Sequence, residues 1–297
     1  METVLTLVAG DDALTDADAA RIGAAIRDLG GDVGRPVWLS ANRALDLPFA
    51  LLSPDQATAA ARLPLTKRPV DVMAQPTRDR RKALLLADMD STMVIGETLD
   101  DLAEAVGLKD EIAAVTARAM NGEIDFAQAF RQRIRRLAGL SATALETAAK
   151  AVRTTPGAAE LVATMRANGA LTVLVSGGLR IFTRHVASRL GFDREIGNDV
   201  VIADGHLSGA VVPPILDRDA KGRTLVATAA EFRLPLSRTL AVGDGANDLD
   251  MISAAGLGVA FHGKPVVAEQ APVRIDHGDL RTLLYCQGYA DREIVAG

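Results

Sequence analysis

The sequence has only one cysteine, Cys286, among its 297 residues. A single thiol excludes an intramolecular disulfide framework and is typical of a reducing compartment, so a cytoplasmic location is expected. No histidine partner or basic setting is visible near Cys286. It is therefore predicted to be a core or surface thiol and not a nucleophile.

Long hydrophobic runs are also missing. The longest ones, such as residues 171–175, have the length of a β-strand, whereas a membrane-spanning helix needs roughly 20 apolar residues. Residues 1–12 contain no basic segment and no long apolar stretch. We therefore expect neither a signal peptide nor a membrane partner.

An excess of positive charge is the third absence. The formal net charge is -5 and the pI is near 5.5, whereas nucleic-acid binding needs a concentrated basic surface. Lysine and arginine are dispersed, apart from one short cluster formed by Arg78, Arg80, Arg81 and Lys82. We interpret this cluster as part of a solvated linker and expect no nucleic-acid partner.

The chain is long and apolar enough for two domains, with 297 residues of which 48% are hydrophobic. The first 75 residues predict an alternation of strands and helices: a strand at Thr3–Ala9, a helix at 16–29, strands at Val37–Ser40 and 46–51, a helix at 54–63 and a strand at 70–75. This order suggests a small α+β ferredoxin-like domain at residues 1–75. A polar stretch containing a proline, residues 76–82, is the predicted linker.

The order of elements in this N-terminal segment resembles that of the ACT-like modules. Such modules bind amino acids or pair subunits. The resemblance implies either serine sensing or a homodimer formed through the N-terminal domain, and the residues favour neither.

From residue 83 to residue 297, strands alternate with helices, which predicts an α/β, Rossmann-like core with a parallel sheet covered on both faces. Three apolar strands, at 84–87, 171–175 and 239–242, each run into polar or glycine residues. In open α/β sheets, ligands bind beyond the carboxyl ends of the strands. One site assembled from three distant segments is therefore expected.

A helical insert is predicted at about residues 98–153, directly after the first of these strands. Phe126, Phe130, Ile134 and Leu137 recur at i, i+4, i+8 and i+11, which indicates one apolar helical face. An insert in this position can form a cap over the site. Further along, Asp204-Gly205 between β-rich runs predicts a hairpin.

Asp88 and Asp90 follow the first strand. Paired acids suit a nucleophile with a general acid/base, and also a hard, oxygen-ligated cation such as Mg²⁺. An isolated Asp-x-Asp is more often a simple pair of turn residues. The segment Gly243-Asp244-Gly245-Ala-Asn247-Asp248 adds two carboxylates and an amide where glycines permit close approach, although it also fits a helix-capping turn.

Two further features point to an anion. Ser176-Gly177-Gly178 lies between a strand and a helix, where backbone N–H groups and the helix dipole favour negative charge. An ordinary glycine turn explains that segment equally well. Lys221 precedes a predicted helix and can neutralise a dianion, although a lone lysine is usually a solvated surface residue.

Together and in this order, with the insert after the first, these four motifs resemble the haloacid dehalogenase-like hydrolase superfamily over about residues 83–275. The resemblance implies that Asp88 is the nucleophile and Asp90 the acid/base. It also implies that Ser176, Gly177, Lys221 and Asn247 contact the substrate, and that Mg²⁺ is held by Asp88, Asp90, Asp244 and Asp248. An aspartate at 90 favours phosphate chemistry, because an alkoxide leaving group must be protonated.

Within that superfamily, residues 88–98 and 120–133 resemble the phosphoserine phosphatases. The resemblance implies that Glu97 pairs with the substrate ammonium, that Arg133 binds its carboxylate, and that Met120 and Phe126 shield the site. The planar guanidinium of arginine suits a carboxylate because it can bind both oxygens. Arg133 also fits a solvated basic run, and Phe126 fits simple core packing.

The predicted reaction is therefore Mg²⁺-dependent hydrolysis of O-phospho-L-serine, the last step of L-serine biosynthesis. Three alternatives remain open at this point. The chain could act on another small phosphorylated metabolite, or pass the phosphoryl group to a second alcohol as a phosphotransferase or mutase. It could also be a receiver-like signalling module that stores phosphate on Asp88.

Overall fold

Two β-sheets organise the chain, one antiparallel and one parallel. The computed structural model describes residues 1–10, 13–120, 123–216 and 219–297, and for Met120 it describes the backbone only. The elements follow one another as β1 Thr3–Ala9, α1 Asp16–Asp28, β2 Asp32–Val33, β3 Val37–Ser40, β4 Ala44–Ala50, α2 Pro54–Arg62, β5 Val70–Pro76, β6 Leu84–Asp88, α3 Thr98–Ala105, α4 Lys109–Met120, α5 Phe126–Arg136, α6 Ala142–Ala151, α7 Ala158–Ala167, β7 Leu171–Leu179, α8 Arg180–Leu190, β8 Arg194–Asn198, β9 Val200–Ala203, β10 His206–Val211, α9 Ala220–Glu231, β11 Thr239–Gly243, α10 Leu249–Ala254, β12 Leu257–Phe261, α11 Pro265–Ala268, β13 Val273–Ile275 and α12 Thr282–Cys286.

The antiparallel sheet is N-terminal and has the strand order β2-β4-β1-β5, with β3 also pairing β4. β2 pairs the end of β4 and β3 pairs its beginning, so the two short strands form successive parts of one edge. Side chains of α1 and α2 share a hydrophobic cluster with the sheet. Both helices start with a capping box, made by Thr15 with Asp18 and by Ser53 with Gln56. The predicted order of elements is observed, with β2 in addition.

The parallel sheet has the order β13-β12-β11-β6-β7-β8. β6 therefore lies between β7 and β11, so the three strands singled out in the sequence are neighbours. Asp88 pairs with Val175 in register, and Ala87 pairs with Val242. The carboxyl ends of the three strands consequently meet at one edge, as predicted for a parallel α/β core.

Helices α3 to α6 form the insert between β6 and α7, and an isolated bridge between Val94 and Thr154 closes its base. Phe130, Ile134 and Leu137 are fully buried in the main core cluster. These three residues confirm the predicted apolar face, whereas Phe126 lies at its edge and is 36% exposed.

The predicted hairpin is present as β9 and β10, and its backbone is bonded to the insert. Gly139 N–H donates to Leu207 O at 2.8 Å, and Leu207 N–H donates to Leu140 O at 2.7 Å. Ala142 N–H donates to Gly205 O at 2.8 Å. The insert is therefore bonded to this separate two-stranded sheet as well as being closed at its base.

The expectation of a solvated basic linker is wrong for Arg80 and Lys82. The guanidinium of Arg80 donates to both carboxylate oxygens of Asp46, at 2.6 and 2.7 Å, and also to Thr6 and to the backbone of α12. Lys82 is buried, and its Nζ donates to Ser237 O at 2.8 Å. Lys82 is buried and Arg80 partly buried because each side chain has a specific partner in another part of the fold.

Cys286 is a buried free thiol in α12, as expected for a core cysteine. Burial raises the pKa of its thiol well above the ordinary value, which disfavours the reactive thiolate. Among the helices that the structure describes, none is long and apolar enough to cross a membrane.

Candidate active site

Asp88 is the last residue of β6 and is 4% exposed. The Nζ atom of Lys221, which lies in the first turn of α9, donates to Asp88 Oδ1 at 2.5 Å and to Asp248 Oδ1 at 2.6 Å. Lys221 is 4% exposed and therefore not the solvated surface lysine that composition alone would favour. The structure brings together residues from the ends of β6 and β11 with the start of α9.

The charges in this cluster shift one another's protonation. Burial, and then the carboxylate of Asp248, raise the pKa of Asp88 well above its ordinary value, while Lys221 acts in the opposite direction. Burial alone would lower the pKa of Lys221, but the carboxylates of Asp88 and Asp248 outweigh burial and raise it. Burial also raises the pKa of Asp244. Without further positive charge, the site therefore resists ionising all of its carboxylates.

Asp88, Asp244 and Asp248 form a group that can hold a cation. One oxygen from each lies within 4.8 Å of the others, and all three residues are buried. Gly243 permits this approach, because a Cβ atom there would lie 2.3 Å from Asp248 Cγ. Lys221 neutralises only one of the three negative charges. Hard oxygen ligands with uncompensated negative charge fit a divalent cation.

Asp248 also shapes the loop that follows β11. Its Oδ2 atom accepts the backbone N–H groups of Asp244 and Gly245, at 3.1 and 2.9 Å. Asn247, predicted to contact substrate, is exposed, and its Oδ1 would lie 2.4 Å from a Cβ atom at Gly245. The small glycines thus allow the loop to fold onto its own polar side chains.

Asp90 is held apart from the three-carboxylate group. Its Oδ1 accepts the backbone N–H of Thr98 at 2.8 Å, and its Oδ2 accepts the hydroxyl of Ser176 at 3.0 Å. The group of convergent carboxylates does not include its side chain, so the predicted role of that carboxylate as a metal ligand has no support in this geometry. The two acids of the Asp-x-Asp motif therefore have different surroundings.

Ser176, Gly177 and Gly178 lie near the end of β7, just before α8 begins. Gly178 N–H donates to Ser176 Oγ at 2.9 Å. A Cβ atom on Gly177 would lie 2.8 Å from Cζ of Phe126, the first residue of α5. The insert therefore reaches the predicted phosphate-binding loop, and Phe126 covers it.

Glu97 and Arg133 belong to the insert side of the site. Ser91 Oγ donates to Glu97 Oε1 at 3.0 Å, and burial, followed by the charge of Asp90, raises the pKa of Glu97. Burial lowers the pKa of Arg133, against the attraction of Asp100 and, more weakly, of Glu97 and Asp90. Within the described ranges, no carboxylate lies within ion-pair distance of Arg133, and its buried Nε has no acceptor.

Lys264 also belongs to this site, although no motif in the sequence singled it out. Its Nζ atom lies 3.1 Å from Asp244 Oδ2 and 3.6 Å from Glu97 Oε1, which links the core to the insert side of the site. Lys264 follows the carboxyl end of β12, so its position after a strand was the signal available. The predicted contact of Met120 concerns a side chain outside the described part of the chain.

Comparisons with known proteins identify the family of the chain. A family model described as haloacid dehalogenase-like hydrolase matches residues 85–253. The chain is 39% identical over 290 residues to a phosphoserine phosphatase of Streptomyces coelicolor, covering 95% of this chain and 70% of that protein.

Solved structures give the same result. A haloacid dehalogenase-like family hydrolase from Salmonella enterica serovar Typhi has a TM-score of 0.85 at 28% identity, covering 98% of this chain and 99% of that one. A phospho-aspartyl intermediate analogue of a phosphoserine phosphatase has a TM-score of 0.63 at 38% identity, covering 69% of this chain and 98% of that one. The family match spans both Asp88 and Asp248. The chain therefore belongs to the haloacid dehalogenase-like hydrolase family, where its curated relatives include phosphoserine phosphatases.

Proposed function

We propose that this chain is a Mg²⁺-dependent phosphatase that hydrolyses O-phospho-L-serine to L-serine and phosphate, the last step of L-serine biosynthesis. The observation that carries the choice of substrate is the charge arrangement on the insert side. Arg133 is half-buried and has no carboxylate partner among the described residues, and Glu97 lies close enough to affect its pKa. A substrate with its own carboxylate and ammonium groups complements this pair.

In the first half-reaction, the carboxylate of Asp88 attacks phosphorus and forms a phosphoaspartate. The bond between phosphorus and the serine oxygen breaks, and Asp90 gives its proton to that departing oxygen. The separate environments of the two acids support this division of roles. Asp88 lies against Lys221 at 2.5 Å, whereas Asp90 is held by Ser176 and the Thr98 N–H. The relative solved as a phospho-aspartyl intermediate analogue supports the same intermediate.

In the second half-reaction, Asp90 is ionised and takes a proton from water. The resulting hydroxide attacks phosphorus, the bond to the Asp88 oxygen breaks, and phosphate leaves with the Asp88 carboxylate restored. Lys221, Gly177 and the backbone of Ser176 are the proposed contacts of the phosphoryl oxygens, because they border Asp88 from α9 and β7, while the Ser176 hydroxyl donates to Asp90. One acid thus serves both steps.

Asp88, Asp244 and Asp248 would hold the cation, and their hard, buried oxygens support Mg²⁺. When bound, Mg²⁺ supplies positive charge that offsets the repulsion between the Asp88 carboxylate and a phosphate dianion. Lys221 already provides part of that charge in the protein itself.

The insert and the N-terminal segment complete the proposal. We assign residues 98–153 as a cap, with Phe126 shielding the site, within a catalytic domain at 83–297. Residues 1–75 are assigned as an ACT-like domain, followed by a connecting segment at 76–82. The sheet order β2-β4-β1-β5 with two helices supports this assignment. A homodimer through this domain and a cytoplasmic location remain predictions.

The direct test is phosphate release from L-phosphoserine, phosphothreonine, a sugar phosphate and a nucleotide, each with Mg²⁺ or EDTA. We expect release chiefly from phosphoserine, only with Mg²⁺, and none from Asp88→Asn. Asp250→Asn is the matched control, because Asp250 is an exposed aspartate on the neighbouring helix α10. No release from any ester by the wild-type protein would refute the hydrolase assignment.

A second pair of variants tests the substrate. Arg133→Lys keeps the charge but loses the planar guanidinium that can bind both carboxylate oxygens. The KM for phosphoserine should therefore rise more than tenfold, and a tenfold change corresponds to about 1.4 kcal/mol. Arg131→Lys on the exposed side of the same helix should leave the KM unchanged. Equal KM values for both variants would remove Arg133 from substrate recognition.

A further inference from the structure

The pairing between β7 and β8 is interrupted where the predicted phosphate-binding loop lies. Val175 pairs with Ile196, but the next pair along the strands is Leu179 with Asn198. Three residues of β7 therefore lie opposite a single residue of β8. Such a bulge removes residues from the ladder and redirects them, and the residues affected are Ser176, Gly177 and Gly178.

The side chain of Asn198 makes hydrogen bonds that the interrupted ladder does not. Asn198 is 1% exposed, and its Nδ2 donates to the carbonyl oxygen of Gly177 at 2.8 Å. Its Oδ1 accepts the backbone N–H of Leu216 at 2.8 Å. A buried amide that is bonded at both ends has one favoured orientation, since a flip would place like groups together.

A series of hydrogen bonds links the Gly177 carbonyl group to Asp90. The Gly177 carbonyl and the Gly178 N–H belong to the same planar peptide unit, so fixing one group fixes the other. The Gly178 N–H donates to Ser176 Oγ at 2.9 Å, and the Ser176 hydroxyl donates to Asp90 Oδ2 at 3.0 Å. All donors run in the same direction, an arrangement in which each bond polarises the next.

We propose that Asn198 is a positioning residue that holds the carboxyl group of Asp90 through the 177–178 peptide and Ser176. This inference rests on the proposed function, in which Asp90 protonates the departing serine oxygen. Asn198 touches neither the reacting atoms nor Asp90 itself. When its bond to Gly177 is lost, the peptide can rotate, the Ser176 hydroxyl loses its fixed orientation, and Asp90 keeps only the Thr98 N–H as a rigid partner.

Asn198→Asp is the sharpest variant for testing this role. It is nearly the same size and still accepts the Leu216 N–H, but its ionised carboxylate cannot donate to the Gly177 carbonyl, so the measurements are made at a pH where the variant is ionised. The matched control is Asn168→Asp, because Asn168 Nδ2 also donates to a backbone carbonyl, that of Thr164 at 2.9 Å, at the end of α7. Thermal unfolding of both variants identifies a temperature at which each is fully folded.

The first measurement compares leaving groups at that temperature. For phosphoserine we expect kcat/KM of Asn198→Asp to fall by about 10- to 100-fold, a partial loss of the roughly 100- to 10,000-fold that a positioned general acid contributes. For p-nitrophenyl phosphate, whose leaving group needs no proton, the fall should be less than about threefold. Equal falls for both esters, or no fall for phosphoserine, would overturn the proposal.

A double-mutant cycle gives an independent measurement with phosphoserine alone. If Asn198 acts through Ser176, then Asn198→Asp combined with Ser176→Ala should lose no more kcat/KM than the worse single variant. Multiplying losses would mean that the two residues act separately and would contradict the relay. The proposed function fails in a different way, namely when the wild-type protein releases no phosphate from phosphoserine.

Discussion

The ion pair between Arg80 and Asp46 joins the antiparallel sheet to the C-terminal helix, and it allows a quantitative test of how the two are held together. Arg80 is 13% exposed and Asp46 9%, with N–O distances of 2.6 and 2.7 Å. The same guanidinium donates to the backbone carbonyls of Tyr285 and Cys286 in α12. The perturbation is Arg80→Met, which keeps most of the volume and removes every donor.

The expected cost follows from the partner that is left behind. Removing one member of a buried pair leaves an uncompensated charge and costs about 3–5 kcal/mol. Since Asp46 retains slight exposure and can still accept from Thr6 at 2.8 Å, we place the loss near about 3 kcal/mol. With a urea slope of about 3 kcal/mol per molar for a chain of this size, the midpoint should fall by about 1 M.

The assay is urea unfolding followed by tryptophan fluorescence and by far-ultraviolet circular dichroism. Arg194→Met is the matched control, because Arg194 makes an equally short two-bond contact with Glu231 on the surface. That exposed pair should contribute little to stability, because solvent and salt screen it. Combining Arg80→Met with Asp46→Leu should restore part of the loss. A loss for Arg80→Met no larger than for the control would refute the view that burial sets the strength of this contact.

Three further predictions concern single positions. Ser91→Gly removes the hydroxyl that donates to Glu97 and relieves a φ of 55°. The KM for phosphoserine should rise about fivefold, which corresponds to the loss of one hydrogen bond, while thermal stability should not fall. An unchanged KM would show that Ser91 takes no part in substrate recognition. Gly243→Ala places a Cβ 2.3 Å from Asp248 Cγ, so kcat should fall at least about 100-fold in steady-state assays; near-normal turnover would show that the loop has room. Burial lowers the pKa of Lys82 to about 8 in the folded protein, whereas the ordinary value in the unfolded chain is about 10.5. Between these two pH values the unfolded chain binds more protons than the folded protein. The free energy of unfolding should therefore rise with pH over this range, by up to about 3 kcal/mol. Urea unfolding across this range should show a smaller rise in Lys82→Met, and parallel curves for both proteins would contradict the shift.

Strand ends were the most informative signal in the sequence. Asp88, Ser176 and Asp244 each follow an apolar run, and parallel pairing of adjacent strands brings such positions together regardless of their separation in the chain. The apolar spacing in α5 predicted its buried face for the same local reason, because helix geometry alone places Phe130 and Ile134 on one side.

Hydrogen-bond and ion-pair partners that are distant in the chain could not be predicted from the sequence in the same way. Arg80 stands in a basic run that has the composition of a solvated linker, and nothing local indicates that Asp46, far earlier in the chain, is its counterion. Asn198 lies beside Gly197 and Asp199 and has the composition of a turn, yet it is buried against a bulge of another strand. Lys82 is similar, since its acceptor is a backbone carbonyl in a distant loop. Such contacts depend on the packed fold and not on sequence period.

The bonds between the hairpin and the insert have a consequence for motion. Residues 139–142 and 205–207 are joined by three backbone hydrogen bonds, although the two segments are far apart in the chain. Any rotation of α3 to α6 that preserves these bonds must carry β9 and β10 along as one rigid body. The moving part would then be larger than the insert itself, with hinges at four places: near Val94, near Thr154, where the hairpin leaves β8, and where the chain leaves β10. Substrate entry would be coupled to the end of β8, the strand that carries Asn198.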